Sequence, residues 1–118
     1  MILAEFFLPF PPSVNQLYPT AGSRRVISSK YKAWIKEAIS MLNKQIIPTI
    51  TERCSIVYSL NHPDNRARDA ENYPKAMTDL LVNRGTIQDD CRKYLKRTVA
   101  EWNDAPGNLV FVTIFREA

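Results

Sequence analysis

The chain has 118 residues, 45% of them hydrophobic and 24% charged, enough for one hydrophobic core and too few for two. That balance excludes a disordered chain, and no apolar run is long enough to cross a bilayer. The net charge of +4 and a pI near 9.2 permit a polyanionic partner without requiring one.

Residues 2–8, apolar and rich in aromatic and branched side chains, predict a buried strand. The start Met1-Ile2-Leu3-Ala4-Glu5 has no basic segment and carries an early acid, so no signal peptide is expected. Residues 9–27 hold four of the eight prolines and predict one long loop. From Ser28, the positions Tyr31, Trp34, Ile35, Ala38, Ile39, Leu42 and Ile46 form one helical face. Ser28 or Ser29 is the expected N-cap, Pro48 the expected stop, and Lys32, Lys36 and Lys44 the outer face. Tyr31 and Trp34 are read as core.

Residues 53–60 alternate, with Cys54, Ile56, Tyr58 and Leu60 on the better-buried face of a strand that ends near His62. Pro74 belongs in the first turn of a second helix, which makes Asn72 the expected N-cap and Gly85 the C-terminal stop. Its stripe is Tyr73, Ala76, Met77, Leu80 and Leu81, and Lys75 and Asp79 are spaced to pair on the polar face. A strand is predicted over 86–102, with Leu95 and Val99 on one face and Tyr94 and Trp102 on the other. A turn follows at 103–107. Residues 109–115, apolar on both faces, predict a central strand. The expected class is α/β (α+β): a single domain over residues 1–118, in the order β-α-β-α-β-β, with about four strands in one mixed sheet covered by two helices.

Cys54 and Cys91 lack metal-site spacing and are expected to be buried free thiols of a cytoplasmic protein. Six of the twelve acids lie between Asp64 and Asp90. Basic groups flank them: Arg24, Arg25 and Lys30 before, Arg66 and Arg68 within, and Arg92, Lys93, Lys96 and Arg97 after. Carboxylates that hold a cation, ringed by bases that hold a polyanion, are what phosphodiester cleavage needs. Charge alone does not separate this from a solvated, mixed-charge surface. The candidate cluster is Asp69, Glu71 and Asp90 with Lys75 beside them. Magnesium accepts a few carboxylates completed by water and phosphate oxygens. Any one of these acids could equally end a turn, and Lys75–Asp79 could be an ordinary surface pair.

The stretch Arg68-Asp69-Ala70-Glu71-Asn72-Tyr73-Pro74-Lys75-Ala76, continuing through Asp79-Leu80-Leu81 to Asp89-Asp90, resembles the signature of the RusA family of Holliday-junction resolvases. That signature is an arginine-rich approach, D-x-D-N-x-x-K-A, D-x-L on the same helix, then D-D. Leu8-Pro9-Phe10-Pro11-Pro12-Ser13-Val14-Asn15 is similar to the family's L-P-x-P-P-S-x-N, and the resemblance runs the length of the chain. It implies a dimeric, magnesium- or manganese-dependent crossover junction endodeoxyribonuclease. Such an enzyme acts on branched DNA in bacterial, phage or prophage recombination and repair, with no membrane or small-molecule cofactor. It implies Asp69, Glu71 and Asp90 as catalytic metal ligands and Lys75 as the essential lysine. Arg66 and Arg68 would contact phosphate, and Asn15 would lie near the site; Arg24, Arg25, Arg92 and Lys93 extend the expected DNA contact.

Paired cuts on a two-fold junction require two sites, hence a homodimer. The family's second aspartate is Glu71 here, one methylene longer, so a homologue that binds junctions and cuts them poorly is the alternative. A basic α/β interaction module without a DNA role is a third reading.

Overall fold

The computed structural model describes residues 1–18, 20–21 and 24–117, with only the backbone of 20, 21, 24 and 25. Strand β1 (Ile2–Pro9) leads through a 3-10 turn, Val14–Gln16, to a small antiparallel ribbon, β2 (Thr20–Ala21) and β3 (Arg24–Arg25). Then come α1 (Ser29–Asn43), β4 (Cys54–His62), a 3-10 turn at Ala70–Asn72, α2 (Pro74–Arg84), β5 (Leu95–Pro106) and β6 (Leu109–Arg116). The four long strands form one mixed sheet in the order β1-β6-β4-β5, with β4 and β5 parallel and the other pairs antiparallel. The sheet class, two helices and central place of 109–115 match the sequence expectation. The stretch 9–27 does not: it is broken by the 3-10 turn and the ribbon. It is also pinned, since Leu17 is fully buried and the Ser28 hydroxyl donates to the Gln16 carbonyl at 2.6 Å.

Both helices lie on the same sheet face. Ala4, Phe6, Leu8, Ile56, Tyr58, Leu60, Val110, Val112 and Ile114 join Tyr31, Trp34, Ala38, Leu42, Ala76, Met77, Leu80 and Leu81 in one core. Alternation along each strand sends the intervening residues to the other face. There Phe7 and Phe111 pack with ring centroids 5.0 Å apart, and Phe7 stays 44% exposed.

Ser28 caps α1, accepting from the Tyr31 N–H at 3.0 Å. The helix ends at Asn43, short of Pro48, because the Lys44 N–H closes back on Met41 and Leu42. Gln45 then turns its amide onto the outer edge of β1, donating to the Phe7 carbonyl at 2.9 Å and accepting from its N–H at 2.8 Å. That pairing satisfies backbone groups an edge strand otherwise leaves open. It also takes Ile46 off the helical face into full exposure, and Ile39 is 40% exposed.

Strand β5 starts at Leu95, not at Thr86. Residue 87 forms only a bridge to Ile50, and 92–94 form a turn. Between Leu95 and Thr98 the strand carries one residue more than its partner: Cys54 faces Leu95, but Ile56 faces Thr98. This bulge shifts the alternation. Leu95 and then Ala100 and Trp102 face the core, whereas the sequence pattern put Leu95 and Trp102 on opposite faces. Cys54 is buried and Cys91 exposed, both free, so the expectation of two buried thiols fails at Cys91, which sits in the turn before β5. Among the described residues, no helix is long and apolar enough to cross a membrane.

Candidate active site

The approach to α2 is built around Asp64. The Arg68 guanidinium grips it in a fork, Nε to Oδ1 at 3.0 Å and Nη2 to Oδ2 at 2.6 Å. Arg66 adds its backbone N–H at 3.0 Å and its Nε at 3.1 Å. These groups, Arg68 first, hold the Asp64 carboxyl well below its usual range, and Asp64 in turn raises Arg68. Arg68 also donates from Nη1 to the Tyr73 hydroxyl at 3.0 Å. Tyr73 is buried against Phe10 and Trp102, so the loop is tied to the core just before Asp69.

The expected N-cap at Asn72 is displaced. The Asp69 carboxylate accepts from the Glu71 N–H at 3.3 Å and opens the 3-10 turn Ala70–Asn72. Tyr73 becomes the residue preceding α2, with Pro74 in its first turn. Asp69 and Glu71 are both exposed, one opening and one within the 3-10 turn that leads into α2. At the other end Gly85, φ 85°, closes α2 in the left-handed conformation. The Thr86 N–H returns to the Leu81 carbonyl at 2.9 Å, and the Ile50 N–H reaches the Thr86 carbonyl at 2.7 Å. Buried Ile87 fixes the chain before exposed Asp89 and Asp90, whose backbone is held by the Asp89 side chain at 2.8 Å.

These supports place Asp90 against α2. A depression of about 250 Å³ is lined by Lys75, Thr78, Asp79, Asp90 and Thr98, with Pro74 and Leu95. A second, of about 430 Å³, is lined by Glu71, Pro74 and Thr98–Ala100. Pro74 and Thr98 line both, so Glu71 on one side and Lys75 and Asp90 on the other border adjoining open depressions, together a groove along α2 and β5. Asp69 lines neither depression. Among the described residues no three carboxylate, imidazole or thiol groups are gathered tightly enough to enclose an ion. The donor chemistry nonetheless fits a hard divalent cation: exposed carboxylates in an open groove, the pattern of an ion that keeps several waters. His62 lines a different depression, beside Asp64, Arg66 and Trp102.

Lys75 donates to Asp79 Oδ2 at 3.1 Å, as its spacing predicts. Asp79, read from sequence as the lysine's surface partner and as the aspartate of the D-x-L stretch but given no role at the site, lines the groove; the signal was its place four residues after the lysine. Arg68 commits three of its donors to Asp64 and Tyr73, leaving two N–H for any phosphate. Arg66 remains highly exposed. Arg92 and Lys93 are exposed in the turn after Asp90, with the Lys93 ammonium 5.3 Å from the Tyr94 ring centre. Asn15 is exposed on the turn Val14–Gln16 and lines neither depression. The backbone of Arg24 and Arg25 forms β3; their side chains lie outside the described residues.

An open groove with carboxylates along its walls and a lysine beside them, on a small mixed sheet, carries the chemistry that phosphodiester hydrolysis uses. The chain belongs to the endodeoxyribonuclease RusA family, whose model matches residues 9–114. It is 33% identical over 89 residues, 73% of this chain and 72% of the relative, to the crossover junction endodeoxyribonuclease RusA of Enterobacteria phage HK97.

Proposed function

We propose that the protein is a divalent-metal-dependent endodeoxyribonuclease that resolves four-way DNA junctions by paired nicks, acting as a homodimer in a cell or phage cytoplasmic cycle. The observation that carries this reading is that Lys75 and Asp90 line one depression and Glu71 an adjoining one that shares Pro74 and Thr98 with it. The name of the phage relative supports the junction as substrate.

Asp69, Glu71 and Asp90 would hold magnesium or manganese, which when bound supplies an activated water and offsets charge at the phosphate. Lys75 places a positive charge where the scissile phosphate gathers negative charge. The fork of Arg68 on Asp64 sets the position of Asp69 and Glu71. Arg66, Arg68, Arg92 and Lys93, with Arg24, Arg25 and Asn15, carry the DNA backbone into the groove.

The test uses synthetic four-way junctions with magnesium, then manganese, and compares wild type with Asp69→Asn. Wild type should make symmetric paired nicks; Asp69→Asn should bind and not cut. Absence of nicks from wild type with either ion overturns the enzymatic reading. The longer Glu71 and the absence of a tight acid cluster among the described residues favour one alternative, a junction binder with little cleavage. It predicts salt-sensitive binding without cutting and recovery of cleavage in Glu71→Asp.

A further inference from the structure

We infer that Asp79 is a positioning residue of this nuclease, acting through Lys75 by holding its ammonium inside the groove; the inference rests on the proposed function above. Asp79 follows Lys75 by one helical turn, and its carboxylate reaches back toward the helix start, the direction in which helical side chains lean. The contact is 3.1 Å, with the lysine side chain 49% exposed and the aspartate 22%. A pair so open to water adds little to stability. Its value lies in geometry.

A lysine has four rotatable bonds and a point charge that can point anywhere over the surface. Here the lysine and its partner line the same depression as Asp90 and Thr98, so the salt bridge holds the charge at the wall of that depression. The helical turn that carries Asp79 is packed from below. The neighbouring Thr78 is buried and shares a 2.7 Å hydrogen bond with the fully buried Tyr58 hydroxyl. The acid that holds the lysine therefore stands on a packed helix, not on a loop.

The experiment measures single-turnover cutting of a four-way junction, junction affinity and thermal stability. It uses wild type, Asp79→Asn, Asp79→Glu, Lys75→Ala and the double variant Lys75→Ala/Asp79→Asn. Asp79→Asn should cut on the order of 10- to 100-fold more slowly, the scale of a misplaced reacting group, with affinity and melting temperature near wild type. Asp79→Glu should recover most of the rate. In the Lys75→Ala background, Asp79→Asn should have no further effect, because a residue that acts only through the lysine has nothing left to place. Additive losses in the double variant, or cutting by Asp79→Asn at the wild-type rate, overturn the inference. Should Asp79→Asn fail to fold, Asp79→Ser removes the same charge and is held to the same outcomes. Wild type that does not cut at all contradicts the proposed function instead, so the two failures are distinguishable.

Discussion

Asp64 lies between two guanidinium groups, and its carboxylate is the acceptor for both. Its folded value is depressed below the ordinary 3.8. The clamp's contribution is therefore fully present above that ordinary value and is lost as pH falls through the lower, folded one. A carbon-detected NMR titration should show Asp64 still ionised where free carboxyls are protonated, and Asp64→Asn should abolish that low-pH transition. A midpoint near 3.8 for Asp64 rules the clamp out in solution. Glu71 poses a different question at the same scale. It lies in the exposed 3-10 turn, where a longer side chain has room to adjust. Shortening it in Glu71→Asp should change the cutting rate less than about tenfold, roughly 1.4 kcal/mol of barrier, and shift the ratio of manganese to magnesium activity. Rates with each ion on the same junction check this; a rise far beyond tenfold identifies the natural chain as the weakly cutting homologue.

Helix α2 and the segment leaving it decide whether Asp90 reaches the groove at all. A Cβ added at Gly85 meets nothing within 4 Å, so any cost of Gly85→Ala is conformational. It should be about 1–2 kcal/mol, with Gly85→Asn costing less because asparagine tolerates the left-handed region. Urea denaturation measures both; equal losses argue against the backbone explanation. Thr78→Val removes the partner of a buried Tyr58 hydroxyl and should cost about 1–3 kcal/mol, visible in the same assay.

These elements also show what the sequence makes legible. Pro74 and Gly85 mark the ends of α2 because each has one conformational reason to be there. The three-four spacing of Tyr31, Trp34, Ala38 and Leu42 marks the buried face of α1. The bulge after Leu95 leaves no such mark, since an extra residue in one strand is defined only by its partner. The end of α1 at Asn43 depends on Gln45 reaching an edge strand 38 residues away, which local propensity does not contain. At the site, Asp69, Glu71 and Lys75 are readable as a local motif. The approach of Asp90 depends on the Ile50–Ile87 bridge, and the place of Asp79 in the groove depends on β5 lying beneath it.

The described residues form one core, with both helices on one side of the sheet and the candidate groove along α2 and β5. A single groove can cut one strand at a time, whereas a four-way junction offers two equivalent strands related by a two-fold axis. Two copies related by the same symmetry meet that demand, and sedimentation at micromolar concentration should give a dimer of twice 13.6 kDa. The stronger test joins symmetry to chemistry. Wild type mixed with an excess of tagged Asp69→Asn, then purified through both subunits, yields dimers with one competent groove. On a junction with both target strands labelled, such dimers should nick one strand and leave the other intact, because the second groove still holds its DNA arm and lacks the first carboxylate. Paired nicks from the mixed dimer would mean that one groove serves both strands in turn, and the symmetry argument for the dimer would then fail even though cleavage persists.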